Sequence, residues 1–174
     1  FQLNLGARKA RGAVLLFLHA DTLLPPAALN HMLHALQDSD VVGGAFTRHY
    51  ASPSLILRVT CLFARLRNQL IGWHLGDQAM FVRRNAFFQL GGFRDVARFE
   101  DLDFSRRLRS FGRTVTLRPS VISSPRRFEK LGPASTTIRD LALTIRYLIS
   151  GLPETNVAPL HDPGYVHAKR LRTL

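Results

Sequence analysis

The chain has 174 residues, 46% of them hydrophobic, which is about one domain's length with enough apolar side chains for a sizeable core. Its single cysteine, Cys61, excludes an internal disulfide and a cysteine-built zinc site. The formal net charge is +12, and the best apolar stretch, residues 55–70, is broken by Arg58 and Arg65 short of the roughly 18 uninterrupted residues of a membrane span.

Only Lys9, Lys130 and Lys169 among the 24 basic residues are lysine. An arginine excess of this kind has two readings: the base composition of a GC-rich genome, or attraction to phosphate on a nucleotide, a nucleic acid or an anionic membrane. Cys61, among Val59, Leu62 and Phe63, reads as a small core hydrophobe and is compatible with a reducing, cytoplasmic setting. The opening Phe1-Gln2-Leu3-Asn4 lacks the charged region and cleavage site of a secretory signal and reads as a chain entered part-way.

Residues 3–12 predict a short helix with Leu3, Ala7 and Ala10 on one side, followed at once by a buried strand at 13–18. The strand runs into His19 and Asp21, and Pro25 and Pro26 forbid its continuation. Residues 27–36 predict an amphipathic helix on Leu29, Met32, Leu33 and Leu36, and residues 41–50 a strand bent at Gly43-Gly44. A second helix after Pro53 carries Leu55, Val59, Leu62, Phe63, Leu66 and Leu70 on one face; covering a sheet is the expected use, lying on an anionic membrane the alternative.

Residues 78–82 predict a short strand, and residues 84–90 two helical turns stopped by Gly91-Gly92. From Glu100 a helix places Phe104, Leu108 and Phe111 together and stops at Gly112. Residues 114–117 and 121–124 predict two extended pieces, and residues 138–150 a last helix with Leu141, Ile145, Leu148 and Ile149 inward. Pro153, Pro159 and Pro163 then mark a loose, extended basic tail over 152–174, so the predicted division is a domain over 1–151 and that tail.

Two groups of residues stand out chemically. His19 and Asp21, one residue apart, leave an extended segment on the same side, at the carboxyl end of a strand where open α/β sheets bind ligands. A carboxylate beside an imidazole suits a divalent ion on a diphosphate; the competing reading is that Asp21 or Thr22 merely caps the next helix. Asp95, Glu100, Asp101 and Asp103 gather four of the 12 acidic residues into nine positions. Capping accounts for one or two of them, but three acids in four positions repel one another, so a cation, a proton or nearby arginines must offset them.

The order of these segments carries a resemblance. Leu16-Phe17-Leu18-His19-Ala20-Asp21-Thr22, then Gly76-Asp77-Gln78-Ala79-Met80-Phe81-Val82-Arg83, Gly91-Gly92-Phe93 and Phe99-Glu100-Asp101-Leu102-Asp103-Phe104-Ser105-Arg106-Arg107-Leu108 resemble the ordered motifs of glycosyltransferase family 2. His19-Ala20-Asp21, with Ser124-Pro125-Arg126-Arg127-Phe128-Glu129 and the late helix ending at Gly151, is similar to its bacterial branch associated with radical-SAM and selenium-domain genes. The resemblance covers residues 3–151.

What it implies is an α/β fold: a three-layer α/β/α, GT-A-like nucleotide-diphospho-sugar transferase with a mixed sheet. His19-Ala20-Asp21 stands where the family has its metal-binding Asp-X-Asp motif, so Asp21, with His19 in place of the common first aspartate, would hold Mn²⁺ or Mg²⁺ on the donor diphosphate. Glu100-Asp101 matches the Glu-Asp pair, with Asp101 as candidate general base of an inverting transfer. Asp77 and Gln78 fall in the loop that helps form the acceptor side, and Arg126 and Arg127 would approach the diphosphate. His161, in the tail, has two readings: closing over the metal, or simple solvation. The family's opening strand, its acidic or asparagine-containing loop and a further strand-helix segment have no counterpart before Phe1, so the resemblance implies a nucleotide-binding half lacking its first part.

The implied partners are a nucleotide-sugar donor and an unknown acceptor, with peripheral attachment to the inner membrane as a further expectation and no specific nucleic acid. The alternative is a non-catalytic basic module for nucleic acid or an anionic membrane surface. It rests on the net charge, against dispersed arginines and aromatics that are mostly Phe at core-like positions. An inactive remnant is the third reading.

Overall fold

A computed structural model describes residues 2–96 and 98–151; the tail, with His161, lies outside the described residues. In chain order the elements are α1 (Gln2–Lys9), β1 (Val14–Phe17), β2 (Thr22–Leu23), α2 (Ala28–Ala35), β3 (Val41–Tyr50), α3 (Leu55–Ile71), β4 (Met80–Arg83), α4 (Arg84–Gln89), α5 (Glu100–Phe111), β5 (Arg113–Ser123), α6 (Arg126–Leu131) and α7 (Pro133–Ser150). A 3-10 turn, Gly76–Gln78, precedes β4.

The five strands form one mixed sheet in the order β1-β4-β3-β5-β2, with β3 and β5 parallel and the other neighbours antiparallel. Alternation along the strands sends successive side chains to opposite faces. Leu15, Phe17, Met80 and Val82 join Ala7 of α1, Phe87 of α4 and Phe104 and Leu108 of α5 in one core. Phe46, Phe81 and Val121 join Ala28 and Met32 of α2 in the other. Helices on both faces of a mixed sheet give the α/β layering expected of a GT-A-like domain.

The first core is dense in phenylalanine. The Phe17 and Phe93 rings meet edge to face with centroids 4.8 Å apart, and Phe87 touches Phe17, Phe88, Phe93 and Phe104. Asn4 fastens α1 to this core by accepting from the Phe93 N–H at 3.0 Å and donating to the Phe93 carbonyl at 2.7 Å.

Several expectations need correction. Residues 114–117 and 121–124 are not two pieces: β5 runs through both, and Pro119 sits where the pairing with β3 skips, so its missing N–H costs no ladder bond. α6 has no counterpart among the expected elements, Leu29 and Leu33 of α2 and Phe111 of α5 are exposed, and α7 starts earlier, at Pro133. The largest difference concerns α3 and α7. The face of α3 with Leu55, Val59, Leu62, Phe63, Leu66 and Leu70 looks outward, as do Leu141, Ile145, Leu148 and Ile149 of α7. α3 turns Leu57, Ala64 and Asn68 inward instead, and α7 turns Thr136 and Tyr147. Periodicity shows that a helix has an apolar face, not which neighbour that face meets.

Gly43 and Gly44 let β3 lie between its two neighbours. A Cβ at Gly43 would stand 2.4 Å from the Phe81 carbonyl oxygen, and one at Gly44 would stand 2.0 Å from that of Val115, both immovable backbone. Gly44→Ala is therefore expected to cost at least the roughly 1–3 kcal/mol of ordinary overpacking. Gly6→Ala, in α1 with nothing within 4 Å, should be neutral or stabilising by about 0.5–1 kcal/mol. Urea denaturation of the two variants checks the contrast, and equal midpoints would refute it.

Candidate functional site

β1, β3 and β5 all end at one edge of the sheet, where β4 begins. Phe17 pairs with Met80, and His49 and Tyr50 pair with Ile122 and Ser123, which sets residues 18–21, the 76–78 turn and the end of β5 beside one another. This is the carboxyl edge at which open α/β sheets present ligand sites.

His19 and Asp21 are both exposed there. They do not extend β1, as their spacing suggested: the strand ends at Phe17, and the Thr22 N–H reaches back to the His19 carbonyl at 3.1 Å, closing a turn. The turn sends the two side chains different ways. The Asp21 carbonyl accepts from the Ser124 N–H at 3.1 Å, and its carboxylate lies 3.9 Å from the Arg126 guanidinium. Neither Asp21 nor Thr22 caps the next helix, since α2 begins after Ala27 with no side-chain cap.

The His19 imidazole faces Gly76. A Cβ on Gly76 would fall 2.7 Å from His19 Nε2 and 3.2 Å from Asp101 Oδ2, so the imidazole and the carboxylate close on the same point beside a residue that can have no side chain. The Gly76 N–H donates to Asp101 Oδ2 at 2.6 Å, and the Leu102 N–H donates to Oδ1 at 2.7 Å. Burial raises the Asp101 pKa above its ordinary 3.8, against the lowering effect of these two N–H groups, and the charges of Glu100 and Asp77 add to the rise.

Asp77, the next residue, is tied differently. Its Oδ2 pairs closely with the Arg48 guanidinium and accepts from the Tyr50 hydroxyl at 3.3 Å, while its Oδ1 is buried with no hydrogen-bond partner among the described residues. Arg48 and Tyr50 stand two residues apart on β3, and the Arg48 guanidinium lies 4.7 Å from the centre of the Tyr50 ring. Burial opposes the charge of Arg48, but Asp77 and Tyr50 more than offset it and hold its pKa above the ordinary arginine value. Burial also raises Tyr50, which keeps the phenol protonated as a donor.

Gln78 lies behind this surface, fully buried. Its Oε1 accepts from Arg67 at 3.1 Å and from the Leu75 N–H at 3.0 Å, and its amide donates to the Phe46 carbonyl at 3.0 Å. With those groups occupied it braces the turn, and Asp77 alone of the pair faces out. Arg67, also bonded to the Trp73 carbonyl at 3.1 Å, is lowered by burial and by the charge of Arg48 to about 10 and stays cationic near neutrality. His74 is lowered by burial and then by Arg67 to about 4, so it is neutral, bonded to Thr116 at 2.9 Å.

The remaining candidates divide. Arg126 points to the Asp21 side and bonds the Ser124 hydroxyl at 3.2 Å, whereas Arg127, on the other side of α6, pairs closely with Asp140 of α7. Glu100 borders a separate small cavity lined by Gln2, Leu3, Phe93, Arg94 and Val96. Arginines, one of the three expected offsets, relieve part of the acidic crowding: Asp103 is held by Arg107 at 2.8 Å and Arg94 at 3.2 Å. Sequence reasoning missed Arg48 and Tyr50. Their shared side of β3 was readable, but their partner lies 27–29 residues away and only the sheet brings it near.

Among the described residues, no three His, Cys, Asp or Glu side chains form a cluster able to hold a metal ion alone.

Removing one member of a buried pair strands the other. Arg48→Met is expected to destabilise by about 2–3 kcal/mol, below the roughly 3–5 kcal/mol of a fully buried pair because the Asp77 side chain keeps 28% exposure. Adding Asp77→Asn should recover part of the loss, and a double-mutant cycle by urea unfolding measures the coupling. A single-variant cost under about 0.5 kcal/mol, the ordinary range for surface substitutions, would show that the pair contributes little.

No curated protein matches this chain. A family described as "Glycosyl transferase family 2" matches it over residues 2–91, from α1 through the end of α4. That stretch is more than half of the 174 residues and contains the turns of His19, Asp21 and Asp77, with Asp101 following beyond its end. The chain belongs to glycosyl transferase family 2.

Proposed function

We propose that the protein transfers a sugar from a nucleotide-diphosphate donor to a hydroxyl acceptor with inversion, Asp101 acting as the general base. The observation that carries this reading is the convergence of His19 and Asp101 on Gly76, with Asp77 one residue further on. It sets a carboxylate of raised pKa between an exposed polar turn on one side and an arginine-held carboxylate on the other.

In an inverting transfer the acceptor oxygen forms its bond to the anomeric carbon as the bond to the leaving diphosphate breaks, and one group takes the hydroxyl proton. Asp101 is suited to receive it, because its two N–H donors fix the carboxylate and its raised pKa makes it a better proton acceptor than an ordinary aspartate. Asp77, held by Arg48 with its side chain still 28% exposed, is assigned to orienting the acceptor. Arg126 is assigned to the donor diphosphate, and Glu100 and Arg127 to support of their neighbours rather than to contact.

The residues present fit a divalent ion held mainly by the donor. Asp21 is exposed and supplies the one carboxylate that Mg²⁺ or Mn²⁺ needs when phosphate oxygens and water provide the rest, and His19, exposed on the same turn but directed toward Gly76, is assigned as the second ligand. Such an ion would stabilise negative charge on the departing diphosphate. His19-Ala20-Asp21 and the Ser124 to Glu129 run support assignment to the radical-SAM and selenium-domain-associated branch. We also place the protein peripherally on the cytoplasmic side of a membrane, on the strength of its charge and its outward apolar helices; among the described residues no helix is long and apolar enough to cross one.

Asp101→Asn should lower kcat by about 10²–10⁴-fold, the usual contribution of a general base, with donor affinity nearly unchanged by calorimetry. A variant with ordinary turnover would remove Asp101 from the base role. The pH dependence follows from the same group. Because the folded-state pKa lies above 3.8, kcat/KM should rise with pH through that higher value, where Asp101 loses its proton. Stability should change the other way: between 3.8 and the raised value the folded chain binds more protons than the unfolded one, so this group's contribution falls as pH rises. An acid limb at or below 3.8 would contradict the assignment.

A further inference from the structure

The outward faces of α3 and α7 are apolar. On α3, Leu55, Phe63 and Leu70 are 70%, 67% and 83% exposed, with Leu62 and Leu66 on the same side. On α7, Ile138 and Ile149 are 67% and 80% exposed, with Leu141 and Ile145 between them. The two helices pack against each other. Single exposed apolar residues are ordinary, but two whole helical stripes on touching neighbours mark an interaction surface.

Charge decides the partner. Arg58 and Arg65 flank the stripe of α3, and Arg139 and Arg146 flank that of α7; all four are exposed, and in each helix the pair is two turns apart on one side. α3 contains no acidic residue, and the one acid of α7, Asp140, is engaged by Arg127. A second copy of the chain would set these unopposed arginines against one another. The 152–174 segment would bring more positive charge, with Lys169, Arg170 and Arg172 against Glu154 and Asp162. An anionic bilayer supplies both an apolar interior for the stripes and negative headgroups for the arginines.

We propose that α3 and α7 together form a docking surface for an anionic lipid bilayer, with the leucine, isoleucine and phenylalanine stripes at the headgroup–acyl boundary and the four arginines among the headgroups. The proposal rests on the peripheral placement given above and not on sugar transfer.

The test sediments the full chain, without donor or metal, with vesicles of phosphatidylcholine alone or mixed with phosphatidylglycerol. Binding is expected on the mixed vesicles only and should weaken with salt. Arg58→Gln with Arg65→Gln should reduce affinity about 25-fold, at the usual contribution of each arginine near an anionic surface. Phe63→Ser with Leu66→Ser should also lose binding while the melting temperature holds, since both side chains are already exposed. Equal binding to the two vesicle types, no binding, or arginine variants that bind like the parent would overturn the proposal. So would a dimer that Phe63→Ser breaks, which would give the face to a second copy. A transfer assay without vesicles reads the catalytic proposal separately, so either can fail alone.

Discussion

The contact between the Gly76 amide and the Asp101 carboxylate holds the candidate site together. It joins the turn before β4 to the first turn of α5 across 25 residues of sequence, and the His19 ring fills the space where any side chain at residue 76 would stand. Two opposing forces meet on that carboxylate. Burial favours the protonated acid, while the N–H groups of Gly76 and Leu102 favour the anion. Burial prevails without leaving the oxygens unbonded, so the group is fixed in position and unusually ready to take a proton.

Its neighbours are neutralised in another way. Asp77 is paired with Arg48, Asp103 with Arg107 and Arg94, and Asp21 faces Arg126. In a chain of net charge +12 arginines are plentiful, and most acids in this region spend their charge on one. Asp101 has backbone partners instead and no ion pair among the described residues. That distinction, more than the local density of acids, separates it from Asp103 two positions away. Asp103 is a strut between α5 and the residues before it, and the Arg107 that holds it also bonds the Leu90 and Gly92 carbonyls at 2.7 and 2.8 Å.

Much of this was readable in the residues, and the limits have physical causes. The bounds of β3 came directly from its β-branched and aromatic run, and Gly91-Gly92 stopped α4 where expected, because local chemistry decides both. His19, Asp21, Asp77 and Asp101 were found as motifs, and the sheet gathers them at one edge. Arg48 and Tyr50 were not, because a buried arginine is recognisable only once its distant carboxylate is known. α3 and α7 failed for a different reason. Their periodicity was correct, but Ala64 and Leu57 on the opposite side of α3 allow that side to pack inward, and the residues between Gly72 and Asp77 fix that choice by anchoring Arg67.

That anchoring ties the outer surface to the inner site. Arg67 of α3 holds Gln78, which braces the turn bearing Asp77, and the Arg48 beside Asp77 perturbs Arg67 in return. The Tyr147 ring of α7 stacks on Phe99, the residue before Glu100-Asp101, with centroids 5.1 Å apart, and its hydroxyl accepts from Arg106 of α5 at 3.2 Å. Each helix therefore has an apolar face turned to solvent and a polar or aromatic face set against one of the two turns that hold the carboxylates. Arg67 and Gln78 connect α3 to the Asp77 turn, and the Tyr147–Phe99 stack connects α7 to the start of α5, where Asp101 stands. The same two helices that carry the exposed stripes thus also brace the two turns that bear the acids, while the Gly76–Asp101 hydrogen bond joins those turns to each other.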